Sequence, residues 1–228
     1  MNVAVIVAAG SGTRFGGDTP KIFLELEGIP VIVRSVRAFE ECGGVESIIV
    51  VVSSPHVERM KGLVAEFGLS KVGAVVAGAD SRTGSVRKGV SALDASKTKL
   101  VLIHDGARPL VKVADIEATM KMASVTGAAV LTVPVTDTVK EVRGGKIVRT
   151  VDRDTLKRAV TPQVFNLEIL LAAIATGPDD EGVTDESLLV EMAGFEVAAV
   201  EGKPSNIKIT HPSDMVMAAA LMGAEVEK

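Results

Sequence analysis

The chain has 228 residues, enough for one α/β domain with a single excursion and too few for two average domains. It is 47% hydrophobic and 24% charged, which excludes a mostly disordered chain. With six Phe, no Trp and no Tyr, and 25 Lys+Arg against 29 Asp+Glu, it offers neither base-stacking platforms nor a general polyanion surface, so no nucleic-acid partner is expected.

The net charge of −4 still leaves room for a local basic pocket that takes one phosphorylated small molecule. A single cysteine, Cys42, excludes an internal disulfide and a Cys-based zinc site, and reads as a small buried apolar residue. The opening MNVAVIVAAGSG has no basic n-region, and no stretch reaches the roughly 18 apolar residues of a membrane span. A soluble cytoplasmic protein with no membrane partner is expected.

Apolar, β-branched runs predict strands at Val3–Val7, Ile48–Val52, Val72–Val76, Leu100–Ile103 and Ala128–Val133. They are apolar throughout, as parallel strands covered on both faces require. Amphipathic stretches between them predict helices over Pro30–Phe39, Pro55–Phe67, Ser85–Leu93 and Asp115–Val125. This alternation predicts a single doubly wound, mostly parallel sheet, with ligands at the carboxyl ends of its strands. The rhythm breaks at Pro134–Asp152, where VTDTVKEVR and KIVRTVD flank Gly144-Gly145 and predict a protruding β-hairpin. A lone hairpin is marginal in water, so this arm, at about 134–155, needs something to pack on, and a partner subunit is the natural candidate. Helices over Leu167–Ala175, Asp185–Ala193 and Pro212–Met222, with a short strand at Val197–Val200, complete one domain over residues 1–228.

Three segments at strand ends carry chemistry. AAGSGTRFGGDTPK (8–21) directly follows the first strand. It fails the dinucleotide fingerprint, because Phe15 stands where a third glycine is needed. It fails the P-loop pattern, because Asp18 and Thr19 follow Gly17. What remains is a Gly-rich loop carrying Arg14 and Lys21, able to cradle phosphate oxygens with backbone N–H groups. A plain Gly-rich turn with solvated cations stays open on these residues alone. GADSRTGSVRKG (78–89) follows the third strand, and Asp80, Ser81 or Thr83 could cap the next helix, with Ser85 in its first turn. HDGARP (104–109) puts Asp105 just past the fourth strand, where it could ligate Mg²⁺. Arg108 could pair with Asp105 or reach an anion. His56, His104 and His211 lack metal-like spacing, and His104 reads as structural. TPQ (161–163) and NIKIT (206–210) are polar islands, the second reading as a strand with Lys208 facing away from its isoleucine neighbours. Asp179, Asp180 and Glu181 read as a solvated loop.

Taken in this order, these segments resemble the 2-C-methyl-D-erythritol 4-phosphate cytidylyltransferase family over almost the whole chain. The resemblance is carried by AAGSGTRFGGDTPK, GADSRTGS, HDGARP, VPVTDTVK, RTVDRDTLKRAVTPQVF, VTDESLLVE and NIKITHPSD. It implies a Rossmann-like nucleotidyltransferase sheet and a reaction of CTP with 2-C-methyl-D-erythritol 4-phosphate in isoprenoid precursor synthesis. It implies that Arg14, Lys21 and Lys208 are catalytic cations. Ala8, Ala9, Gly10, Gly12, Ala79, Asp80 and Ser85 would bind the nucleotide. Asp105 would hold Mg²⁺. Arg108, Thr138, Arg153 and Thr161 would bind the acceptor, with Thr138 and Arg153 crossing to the partner of a homodimer on the arm. Two departures stand out: Gly78-Ala79 where the family usually has two glycines, and Gly106 where it usually has alanine. Both are small-for-small and expected to be tolerated, although Ala79 would be strained if its backbone needed a positive φ. A ribitol 5-phosphate cytidylyltransferase would share this scaffold. A catalytically silent nucleotide-binding regulatory module would share the loop but has less need of so many cations.

Overall fold

The computed structural model describes residues 1–10, 15, 19–178 and 182–226, the last three by backbone alone. The first apolar run is β1 (Asn2–Ala8). A two-residue ribbon, β2 (Glu25–Leu26) and β3 (Ile29–Pro30), leads into α1 (Val31–Glu41). Then come β4 (Ser47–Val52), α2 (Val57–Glu66), β5 (Val72–Ala77), α3 (Arg82–Ser91), β6 (Leu100–Asp105), α4 (Val113–Thr126) and β7 (Ala128–Pro134). The hairpin follows as β8 (Val139–Arg143) and β9 (Lys146–Val151), and the chain returns through β10 (Lys157–Asn166). It ends with α5 (Leu167–Thr176), α6 (Glu186–Met192), β11 (Ala198–Glu201) and α7 (Pro212–Val226).

The main sheet runs β11-β7-β10-β6-β1-β4-β5. Its neighbours pair in parallel except β10, which is antiparallel to both β6 and β7. Strand alternation divides the core into two layers. Ala4, Ile6, Ile48, Val50 and Leu102 face α1, α2 and α4, packing on Phe39, Met60 and Ile116. Val3, Val5, Val7, Val51 and Ile103 face α3, α5 and α6, packing on Val86, Leu170 and Leu189. The doubly wound, mostly parallel sheet is therefore present. The chain leaves β1 on one side toward β4 and reaches β6 on the other, so a topological switch point lies between β1 and β6. In register there, Val7 stands opposite Asp105.

Helix ends follow local chemistry. Ser81 caps α3, its Oγ accepting from the Gly84 N–H at 2.9 Å, and the helix starts three residues before the expected Ser85. Gly127 closes α4 in the left-handed region at φ 86°. In the hairpin, Gly144 and Gly145 both have positive φ, as the tight turn between right-twisted strands demands. The hairpin forms its own two-stranded sheet, with Val142, Ile147 and Val148 exposed.

Two expectations need correction. The pattern of residues 157–166 predicts no strand and TPQ reads as a polar island, yet the segment forms β10, with Thr161 and Gln163 buried at the heart of the sheet. NIKIT is not a strand. It is irregular backbone held by the Ile209 N–H on the Ala107 carbonyl at 2.8 Å. The family departures are also explained. Ala79 takes no positive φ; among the described non-glycine residues only Glu27 does. At Gly106 a Cβ would lie 2.5 Å from Ile32 Cδ1 and 2.9 Å from Ala8 Cβ, so in this chain Ile32 fills the space of the usual methyl.

Gly106→Ala should therefore overpack this corner and cost about 1–3 kcal/mol. Urea unfolding checks it, and adding Ile32→Val, which removes the blocking methyl, should recover part of the loss. An unchanged midpoint in the single variant would contradict the packing argument.

Candidate functional site

The site grows from the switch point. Asp105 ends β6 and is almost completely buried. Its Oδ1 accepts from Arg82 Nε at 3.2 Å, and its Oδ2 pairs with Arg108 Nε at 3.2 Å and Lys208 Nζ at 3.0 Å. Burial works against its charge, but Arg82, Lys208 and Arg108 outweigh it and hold the carboxyl far below the usual range. Arg82 turns its other edge to Glu186 at the start of α6, with Nη1 at 2.8 and 2.9 Å from the two carboxylate oxygens. Burial disfavours the Arg82 charge, yet Glu186 and Asp105 together raise its pKa.

Behind Asp105 lies a neutral relay. His104 is fully buried, with Nε2 3.2 Å from the Arg108 carbonyl and Nδ1 3.0 Å from Thr161 Oγ1. A carbonyl only accepts, so Nε2 carries the proton and Nδ1 accepts from the Thr161 hydroxyl. Thr161 Oγ1 in turn accepts from the Asp105 backbone N–H at 3.1 Å. Burial, aided by the Arg108 charge, lowers the His104 pKa to about 4 against the pull of Asp105, so the ring is uncharged near neutrality. The structural reading of His104 is consistent with this setting.

Two cavities open on either side of this centre. The first, about 250 Å³, is lined by Ala8, Ala9 and Gly10 from the end of β1, Lys21, the segment 79–82, Ser85, Asp105 and Lys208. Ser85 folds back on that segment: its Oγ accepts from the Ala79 N–H at 3.0 Å and contacts the Ser81 carbonyl at 2.8 Å. Asp80 is exposed at the rim. The second cavity, about 290 Å³, is lined by Arg108, Arg158, Val160, Asn206, Lys208 and Asp214 among others. Lys208 lines both cavities. Asn206 donates from Nδ2 to the Thr161 carbonyl at 2.9 Å, and its buried Oδ1 has no hydrogen-bond partner among the described residues.

The structure thus gathers Ala8, Ala9, Gly10, Lys21, Ala79, Asp80, Ser85, Asp105, Arg108 and Lys208 around one centre. Gly12 and Arg14 lie outside the described residues, as do Asp179, Asp180 and Glu181. Thr161 is buried behind the centre, with its side chain engaged by the Asp105 backbone and His104. Thr138 and Arg153 are exposed on the arm and line neither cavity, and Arg153 Nη1 donates to the Thr136 carbonyl at 2.6 Å. Sequence reasoning missed Arg82 and Glu186. Arg82 sat inside a quoted segment, but its partner is 104 positions away and no local pattern joins them.

Whether Asp105 suits a divalent ion follows from its contacts. Three N–H donors occupy its oxygens, and a carboxylate has about four acceptor positions. No group of three His, Cys, Asp or Glu capable of caging an ion exists among the described residues. The residues present fit an Mg²⁺ that takes one carboxylate oxygen and completes its shell with phosphate oxygens and water. No helix among the described residues is long and apolar enough to cross a membrane.

Comparison with known proteins identifies the family. The family profile of IspD, 2-C-methyl-D-erythritol 4-phosphate cytidylyltransferase, matches residues 2–224. A protein of that name from Acidobacterium capsulatum is 41% identical over 230 residues, covering 96% of each chain. One from Desulforamulus reducens is 43% identical over 224 residues, covering 96% of this chain and 95% of the relative. The crystal structure of 4-diphosphocytidyl-2C-methyl-D-erythritol synthase from Anaerococcus prevotii superposes with a TM-score of 0.85 at 28% identity, covering 97% of this chain and 98% of that one.

The buried neutral His104 predicts a pH effect on stability without nucleotide or divalent cation. Unfolded, the ring titrates near 6.5; folded, near 4. Between these values the unfolded chain binds more protons, so stability rises with pH across the window and falls as pH drops. The loss between pH 7 and pH 4 should be on the order of 2–3 kcal/mol from this group. Urea unfolding across that range checks it: His104→Gln should show a shallower slope, and an equal slope in both proteins would refute the assignment.

Proposed function

The chain belongs to the 2-C-methyl-D-erythritol 4-phosphate cytidylyltransferase family, and from that premise we propose how its residues divide the work. The enzyme joins CTP and 2-C-methyl-D-erythritol 4-phosphate to give 4-diphosphocytidyl-2-C-methyl-D-erythritol and pyrophosphate, in isoprenoid precursor synthesis. One observation carries the division: two cavities share Lys208, which pairs with the Asp105 carboxylate in the wall of the first.

The first cavity takes CTP. Backbone of Ala8, Ala9, Gly10 and Gly12 wraps its phosphates, and Ala79, Asp80 and Ser85 hold the cytidine. The second takes the acceptor, with Arg108 and Lys208 toward its phosphate. The acceptor phosphate has a second pKa near 6 and is a dianion near neutral pH. One of its oxygens attacks the α-phosphorus of CTP. The bond from that phosphorus to the bridging oxygen of the β-phosphate breaks, and pyrophosphate leaves with the electron pair. No general base is needed, because the nucleophile is already ionised. Lys21, Lys208 and Arg14 hold the two polyanions together and oppose the charge that builds during transfer. Asp105 would hold Mg²⁺, which supplies further neutralisation of the triphosphate when bound. Thr161 acts behind the acceptor site, through Asp105 and His104.

Thr138 and Arg153 reach the acceptor of the partner subunit in a homodimer built on the 134–155 arm. That they line neither cavity of their own chain, and that Val142, Ile147 and Val148 are exposed on the arm, support this reading. The small ionic substrates and the single free thiol suit a cytoplasmic enzyme.

Pyrophosphate release with CTP and Mg²⁺ tests the activity. Release is expected with 2-C-methyl-D-erythritol 4-phosphate; release with ribitol 5-phosphate instead would overturn the acceptor. A mixing experiment tests the dimer. Lys21→Ala and Arg153→Ala should each lower kcat by about 10²-fold. Unfolded and refolded together, they should regain about a quarter of wild-type activity, because each mixed dimer has one intact site. No recovery would place Arg153 in its own subunit's site.

A further inference from the structure

The second cavity holds a charge that neither the nucleotide site nor the Asp105 cluster uses. Arg158 lies on β10, in register with Val133 of β7. Strand alternation sends its neighbour Lys157 to the other side, where Nζ pairs with Glu201 at 2.7 Å. Arg158 and Val160 instead line the cavity with Arg108, Asn206 and Lys208.

The charges there do not balance. Arg108 and Lys208 each have Asp105 at one end. Arg158 has no carboxylate partner among the described residues. The acid on the cavity wall, Asp214, is already engaged: its carboxylate accepts from the Thr210 and His211 N–H groups, each at 2.7 Å. Arg158 and Arg108 are close enough to repel. A compact dianion between them would relieve that repulsion. A guanidinium suits this task, since its planar fork can grip two phosphate oxygens at once, whereas an ammonium acts as a point charge.

We propose that Arg158 is a further specificity-determining residue, binding the phosphate dianion of the polyol acceptor opposite Arg108 and Lys208. This rests on the assignment of the second cavity to the acceptor. Its role is to select a doubly charged phosphate monoester over an unphosphorylated or singly charged polyol. It holds the acceptor phosphate from the side away from the CTP cavity, leaving the attacking oxygen toward Lys208.

Steady-state kinetics of wild type, Arg158→Ala and Arg158→Lys, with CTP and 2-C-methyl-D-erythritol 4-phosphate each varied in turn, tests this. Wild-type turnover checks the underlying assignment; its absence would overturn that reading and the role of Arg158 with it. Given turnover, Arg158→Ala should lower kcat/KM for the acceptor by about 10–100-fold, mostly through KM. The KM for CTP should stay within about twofold, which also certifies folding of the exposed-site variant. Arg158→Lys should recover only part of the loss. An acceptor KM unchanged in Arg158→Ala, or full recovery by lysine, would overturn the proposal.

Discussion

The site depends on one carboxylate. Asp105 sits at the buried end of β6, where an unpaired negative charge would cost several kcal/mol. It is tolerated because Arg82, Arg108 and Lys208 converge on it. The converse matters as much. Three cations from distant parts of the chain would repel one another without that charge between them. Asp105 therefore fixes the start of α3, the turn after β6 and the 206–210 segment relative to one another. Those are the walls of both cavities.

The surrounding structure keeps this cluster in place without competing for substrate. His104 and Thr161 hold the Asp105 backbone from behind as neutral groups, so they add no charge to a site that must receive two polyanions. Glu186 takes the outer edge of Arg82 and leaves the Asp105 cluster net positive. Positioning and fixed charge are what phosphoryl transfer between ionised partners requires. The arm stands apart from this centre, with Thr138 and Arg153 lining neither cavity.

Most of the architecture was legible because buried parallel strands write themselves as unbroken apolar runs, and Val3–Val7, Ile48–Val52 and Leu100–Ile103 all did so. The hairpin was legible because Gly144-Gly145 admits few alternatives. β10 was not, because its buried side chains include Thr161 and Gln163. Gln163 is polar for a reason visible only in three dimensions: its Oε1 accepts from the Glu186 and Ser187 N–H groups, each at 3.1 Å, and its Nε2 donates to Asp185 at 2.9 Å. The alternation in NIKIT imitated a strand, but Asn206 and Ile209 are tied to Thr161 and Ala107 rather than to a sheet neighbour. Asp105, Arg108, Lys21 and Lys208 stood out through motif and resemblance. Arg82 and Glu186 did not, since a pairing across 104 positions leaves no local trace.

If the Asp105 carboxylate organises nucleotide and divalent cation together, CTP affinity must depend on it. The decisive measurement is calorimetric titration of CTP into wild type and Asp105→Asn, with and without Mg²⁺. Wild type should bind CTP more tightly with Mg²⁺ present, and the asparagine variant should lose that gain while keeping a folded structure. An equal Mg²⁺-dependent gain in both proteins would contradict the account.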